Sequence, residues 1–318
     1  MWSLRKGLKD PFLDPTYGDP HQKALIRALE KRKWKWAREI FTMAADPDEM
    51  AFLMEAAGKV DGIQDWIGRW IDAEPDSTLP SLVAGCHAVH WAWQARGAKR
   101  ALYTTGEQFQ EFHRRLHYAD GLLRQVIARE PDNVTAWAWL VMSSRGPQVG
   151  QREARDRFEA VVRLYPGHVF AHEYRMQYLC AKWSGSHEQM FEFARGATAT
   201  AGPASPLHAL IAQAHIERWC HEETQADNEY IVSQEVRAEL LAAAELSIFH
   251  PDYVPAGPGW AQRLSTFAMA LELADEFDAA WHAFALLNGQ VTPWPWMMLG
   301  DPVEKYTASR IWVDQNRG

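Results

Sequence analysis

From His21 onward, apolar residues recur three and four positions apart. Leu25, Leu29, Trp36, Ile40 and Phe41 open the pattern, which predicts amphipathic helices. Alternation of β-branched and polar residues is nearly absent, so the pattern predicts no strand. Residues 1–20 break the periodicity. They carry Pro11, Pro15, Gly18 and Pro20, and read as an extended, proline-rich lead-in. Thr105 followed by Gln108 has the form of a capping box and predicts a long helix from about Gly106 to Arg129. Ser184-Gly185 reads as a helix stop, Ser186 with Gln189 as the cap of the next helix, and Ser205-Pro206 as another helix start.

Prolines punctuate these helices at a long period. Pro75, Pro131, Pro166, Pro203, Pro251 and Pro293 are separated by 56, 35, 37, 48 and 42 residues. A helix–turn–helix array of about 34 residues per unit predicts such spacing, with insertions lengthening some units. In a tetratricopeptide (TPR) unit the second helix needs small or apolar residues 12, 8 and 5 positions before the proline. These are Ile63, Ile67 and Trp70 before Pro75, Ala119, Leu123 and Val126 before Pro131, and Ala154, Phe158 and Val161 before Pro166. After Pro131, Trp137 and Leu140 fit the first helix of the next unit. A one-residue shift yields Met190, Ala194 and Ala197 before Pro203, and Ala280, Phe284 and Leu287 before Pro293. Before Pro251 the frame fails at Glu239. Small residues let paired helices approach, and a large aromatic fills the wedge between units.

On these residues the stretch Glu74–Pro293 resembles a divergent TPR-like array. The phrase Ala171-His172, the run from Lys182 through Trp183, Ser186, His187 and Glu188 to Arg195, and the Asp-Pro-rich lead-in together resemble an uncharacterised bacterial family of helical-repeat proteins, a domain of unknown function. The resemblance implies an all-α fold, a right-handed α-solenoid of stacked antiparallel helix pairs, and supplies no catalytic residues. The expected organisation is a lead-in over 1–20 and one solenoid domain of about six or seven helix pairs over 21–318. That domain has an enlarged unit near 98–115 and a Pro/Trp-rich strap over 293–302.

Composition narrows the function classes. The 318 residues include 16 Trp and are 47% hydrophobic, ample for a large core. The net charge of −8 gives no broad positive field, so nucleic acid and anionic membranes are not expected partners. Lys31, Arg32, Lys33 and Lys35 interleave with Trp34 and Trp36, but the patch is short and reads as a solvated helix face. Cys86, Cys180 and Cys220 form no C-x-x-C pair, which fits a reducing cytoplasm. No secretory signal and no apolar stretch of membrane-spanning length occur. Phosphate-cradling glycine loops are absent, and no cofactor is expected.

The expected function is the binding of a protein or peptide in a groove lined by the first helices of successive units, near Leu79–Arg96, Val134–Ser144, His168–Lys182 and Pro206–Trp219. Trp139, Glu173, Gln177 and Glu217 are the candidate groove residues. Trp183, Ser186, His187 and Glu188 form a turn motif, in which Ser186 is read as a cap and Glu188 as a favourable charge at a helix start. The alternative is an enzyme. His168 with His172 lie at i, i+4 and could share a metal, with His215 and His221 as further ligands. Cys220, His221 and Glu217 are the candidates for a Cys–His dyad with a supporting carboxylate. Trp294 and Trp296 read first as a cap on the last unit, and second as a contact between two copies of the chain.

Overall fold

The computed structural model describes residues 8–97, 104–146, 149–222 and 225–318. Over them the chain is all-α, with sixteen α-helices and one pair of two-residue strands. The expected enlargement near 98–115 falls partly outside the described residues. The chain divides into two compact units, one of Asp19–Tyr178 and one that joins Leu179–Gly318 to the segment ending at Gly18. The repeat pattern reads as one array over 21–318 and carries no mark of this division.

The 19–178 unit contains α1 (Pro20–Glu30), α2 (Trp34–Phe41), α3 (Pro47–Gly58), α4 (Ile67–Ala73), α5 (Leu79–Arg96), α6 (Gly106–Arg129), α7 (Val134–Ser143) and α8 (Gln151–Leu164), with α9 (Val169–Leu179) at its end. Local chemistry sets these boundaries. The side chains of Asp19, Asp46 and Asn133 accept hydrogen bonds from backbone N–H groups of the first turns of α1, α3 and α7. Thr105 and Gln108 close a reciprocal capping box at the start of α6, which runs over the residues the sequence predicts. Pro20, Pro47 and Pro80 occupy first turns, where a missing N–H costs nothing.

Helices pack in pairs, α5 on α6 and α7 on α8, and α3 lies against α5 and α7. Eight of the nine template residues are buried, and Phe158 packs part-buried against the core. Gly85 permits a close approach of α5 to α6, since a Cβ there would sit 2.9 Å from Leu123. Trp70 and Trp139 are fully buried; a large apolar side chain contributes roughly 1.5–3 kcal/mol by leaving water.

The 179–318 unit contains α10 (His187–Ala199), α11 (Ala209–Glu222), α12 (Gln225–Ile231), α13 (Gln234–Glu245), α14 (Trp260–Leu273), α15 (Phe277–Leu287) and α16 (Pro302–Asn316). The lead-in is expected to be extended; its first seven residues lie outside the described residues, residues 15–18 form a turn, and the segment between pairs as a strand. Strand β1 (Phe12–Leu13) runs parallel to β2 (Gln290–Val291), with Phe12 opposite Gln290 and Leu13 opposite Val291. The strand-free expectation is corrected here, because two residues are too few to show alternation. The Arg310 guanidinium donates to the Lys9 carbonyl at 2.8 Å, and the Phe12 N–H donates to the Gly289 carbonyl at 2.9 Å.

Trp296 is fully buried, stacked on Phe284 at 5.8 Å and edge-on to Tyr306 at 5.6 Å. It is therefore not available as a contact between copies, which corrects half of that expectation. Trp294 is part-buried. Among the described residues no helix is long and apolar enough to cross a membrane.

Candidate functional site

Helices α10, α11, α12 and α13 enclose a cleft of about 760 Å³, within the usual range for a ligand site. Its walls are aligned by two capped starts. Ser186 accepts from the Gln189 N–H at the head of α10, as the sequence predicts, and Ser233 accepts from the Val236 N–H at the head of α13. From α10 come His187, Glu188, Phe191, Glu192 and Arg195; from α11, His215 and Arg218; from α12, Tyr230; from α13, Glu235 and Glu239.

One hydrogen-bonded chain organises the floor. Arg195 donates to both oxygens of Glu239, at 2.7 and 2.8 Å. His215, only 1% exposed, lies between Glu239 at 3.2 Å from Nε2 and the Tyr230 hydroxyl at 2.6 Å from Nδ1. The hydrogen bonds from Arg195 and His215 hold the Glu239 carboxyl down at about 2, so it is an acceptor only. In the neutral imidazole Nε2 then carries the proton, and Nδ1 accepts from the Tyr230 O–H. Burial pushes the Tyr230 phenol up, which keeps it a neutral donor. The Arg218 guanidinium lies 3.9 Å from the centre of the Tyr230 ring, and the Phe191 ring packs on His215 at 4.9 Å.

The sequence-derived candidates separate. Trp139 is fully buried between His90 and Phe170, so it cannot line an open groove. Glu217 is also buried and accepts from the Lys182 ammonium at 2.5 Å, an internal ion pair rather than a groove carboxylate. Glu173 and Gln177 are part-buried on α9 in the 19–178 unit. In the turn motif, Ser186 is a cap, while His187 and Glu188 line the cleft. Trp183 is part-buried.

The histidine pair resolves into local structure. His168 is fully buried, and its Nδ1 accepts from the Ala171 N–H at 3.3 Å, as a helix cap does. His172 uses Nδ1 on the His168 carbonyl at 2.8 Å and sets its ring edge-on to Phe158. Both ring nitrogens of His215 are committed as above, and the His221 ring meets His187 at 5.0 Å. Among the described residues no three His, Cys, Asp or Glu side chains are placed to hold one metal. The Cys220 candidate loses its supporting carboxylate, because Glu217 is turned to Lys182 and His221 to His187.

The residues missed from the sequence are Arg195, Arg218, Tyr230 and Glu239. One signal for them was present: Glu239 is the position where the repeat frame fails. A second depression, of about 420 Å³, lies in the 19–178 unit beside Asp46, Pro47 and Asn133. Its Glu130 carboxylate is taken up by the Thr78 hydroxyl and the Asn133 amide. Comparison with protein-family models, with curated proteins and with solved structures finds no match.

Proposed function

We propose that the chain is a binding protein that holds a peptide or protein segment in the cleft between α10, α11, α12 and α13. The observation that carries this reading is the pre-ordered floor. Arg195, Glu239, His215 and Tyr230 already occupy one hydrogen-bonded arrangement, so little side-chain entropy is lost when a segment docks. Phe191 and Tyr230 line the cleft with aromatic edges, and Glu192 and Glu235 offer charge at the rim.

The wider fold reading supports the same class. We read the pairs α5–α6 and α7–α8 as TPR-like, on the grounds of their proline-marked joints and buried template residues. Helix-pair repeats commonly present segments of partner proteins with a binding face. The free cysteines fit a reducing compartment, and we carry the cytoplasmic expectation with them. The histidine-enzyme alternative is favoured by one feature, the carboxylate–imidazole–hydroxyl chain. That chain ends on a neutral phenol beneath a guanidinium, which suits positioning better than proton removal.

The test is selection of displayed peptides on the full chain and on Glu192→Trp, which narrows the cleft from an exposed wall position. Peptides enriched by the parent and lost by the variant are expected. No enrichment, or enrichment indifferent to the substitution, overturns the reading.

A further inference from the structure

The cations of the cleft differ in how far they are already satisfied. Arg195 is chelated by Glu239 through two hydrogen bonds, and both nitrogens of His215 are engaged. Among the described residues Arg218 has no carboxylate within ion-pair distance, and its close neighbour is the Tyr230 ring, 3.9 Å below. Its charge also acts on Glu188, which is itself held by the Ser186 hydroxyl and its own backbone N–H.

Stacking fixes the plane of a guanidinium while leaving its edge N–H groups open, and that fork matches a carboxylate. The chain beneath holds the platform. Tyr230 is pinned by His215, His215 by Glu239, and Glu239 by Arg195, so Arg218 rests on an aromatic surface that cannot swing. We propose that Arg218 receives a carboxylate of the bound segment, either an acidic side chain or a free C-terminus, held in the fork above Tyr230. This rests on the peptide-binding reading above and names what the cleft selects.

The rim adds a second requirement. The cleft has four carboxylates, Glu188, Glu192, Glu235 and Glu239, against the two arginines. Among the described residues no cation lies within ion-pair distance of Glu192 or Glu235. An isolated anion meets a net negative field, so the selected carboxylate is one flanked by basic residues that answer Glu192 and Glu235.

The test uses a positional-scanning library of octapeptides, each made with a free and an amidated C-terminus, bound to the full chain. Peptides with an acidic group beside a basic residue are expected to dominate. Loss of binding on amidation identifies a C-terminal carboxylate; indifference to amidation together with an Asp or Glu preference identifies a side chain. Arg218→Gln should weaken those peptides tenfold or more, since about 1.4 kcal/mol is tenfold. Arg218→Lys, which keeps the charge but not the fork, should recover part of it, and the remote surface change Arg152→Gln none. Selected peptides without acidic preference, or a preference that Arg218→Gln leaves unmoved, overturn the carboxylate assignment while peptide binding stands. No selected peptide at all overturns both.

Discussion

Two charged residues sit on packed helices, Arg157 on α8 and Glu239 on α13, and their surroundings differ. Arg157 is 4% exposed: it donates to Glu153, the Leu140 carbonyl and the Ser143 hydroxyl, and forms an ion pair with Asp120 at 2.9 Å. Every partner is structural, and the group closes a packed joint. Glu239 is a quarter exposed and is satisfied by Arg195 and His215, but both of these line a cleft whose other groups are open. The difference teaches how to read a charge inside a repeat. Partners that close a packed joint mark architecture, whereas partners that line a cleft mark a site.

The comparison can be broken by mutation, with unequal costs. Arg157→Ala takes the buried donor from the Leu140 carbonyl and the Ser143 hydroxyl, while Arg124 still holds Asp120 and Glu153, and urea unfolding should show a loss of about 2 kcal/mol or more. Glu239→Gln should cost less, about 1 kcal/mol, because solvent reaches that pair. Arg157→Ala should leave peptide selection by the cleft unchanged. Equal costs for the two substitutions would erase the distinction.

Acid sharpens the contrast. Burial drives His168 down to about 4, from an unfolded value of 6.5. The unfolded chain therefore takes up this proton first, and stability in the 19–178 unit falls as pH drops from 6.5 toward 4. His172 and His87, also lowered by burial, add in the same direction. Glu239, held at about 2 against 4.5 unfolded, contributes stability that is full above pH 4.5 and lost as pH falls toward 2. His168→Asn keeps a capping side chain and should flatten the upper part of the urea-midpoint profile, whereas Glu239→Gln should flatten the lower part. A profile that His168→Asn leaves unchanged would refute the assignment of the upper range. The smallest effect is expected from Arg218→Gln, whose close neighbour among the described residues is a ring. Its stability should move by less than about 1 kcal/mol while peptide selection changes.

Much of the architecture was legible because it is local. The capping pair Thr105 and Gln108 at α6 and Pro80 in the first turn of α5 act within a few residues, so α6 and α5 fall where the sequence puts them. The site was less legible because it is assembled across longer separations. His215 meets Tyr230 fifteen residues on and Glu239 twenty-four on. Glu217 looked like a groove carboxylate because its partner, Lys182, is 35 residues away. Trp139 looked free because the rings that cover it, His90 and Phe170, belong to other helices. The one foreshadowing was negative: a carboxylate where the repeat wants a small apolar residue.

The clasp of β1 on β2 has a consequence in time. Lys9 donates to Asn288, 279 positions later, and its carbonyl accepts from Arg310, 301 positions later. Gly289 makes the close approach possible: its φ is +86°, and a Cβ there would lie 2.7 Å from the Asp10 carbonyl oxygen. At about 5–20 residues per second, a ribosome needs on the order of 15–60 s to move from one half of this joint to the other. During that interval the whole 19–178 unit emerges and can fold. The 179–318 unit, by contrast, is completed only after its earliest and latest strands exist together, so its edge is the last part of the molecule to be sealed.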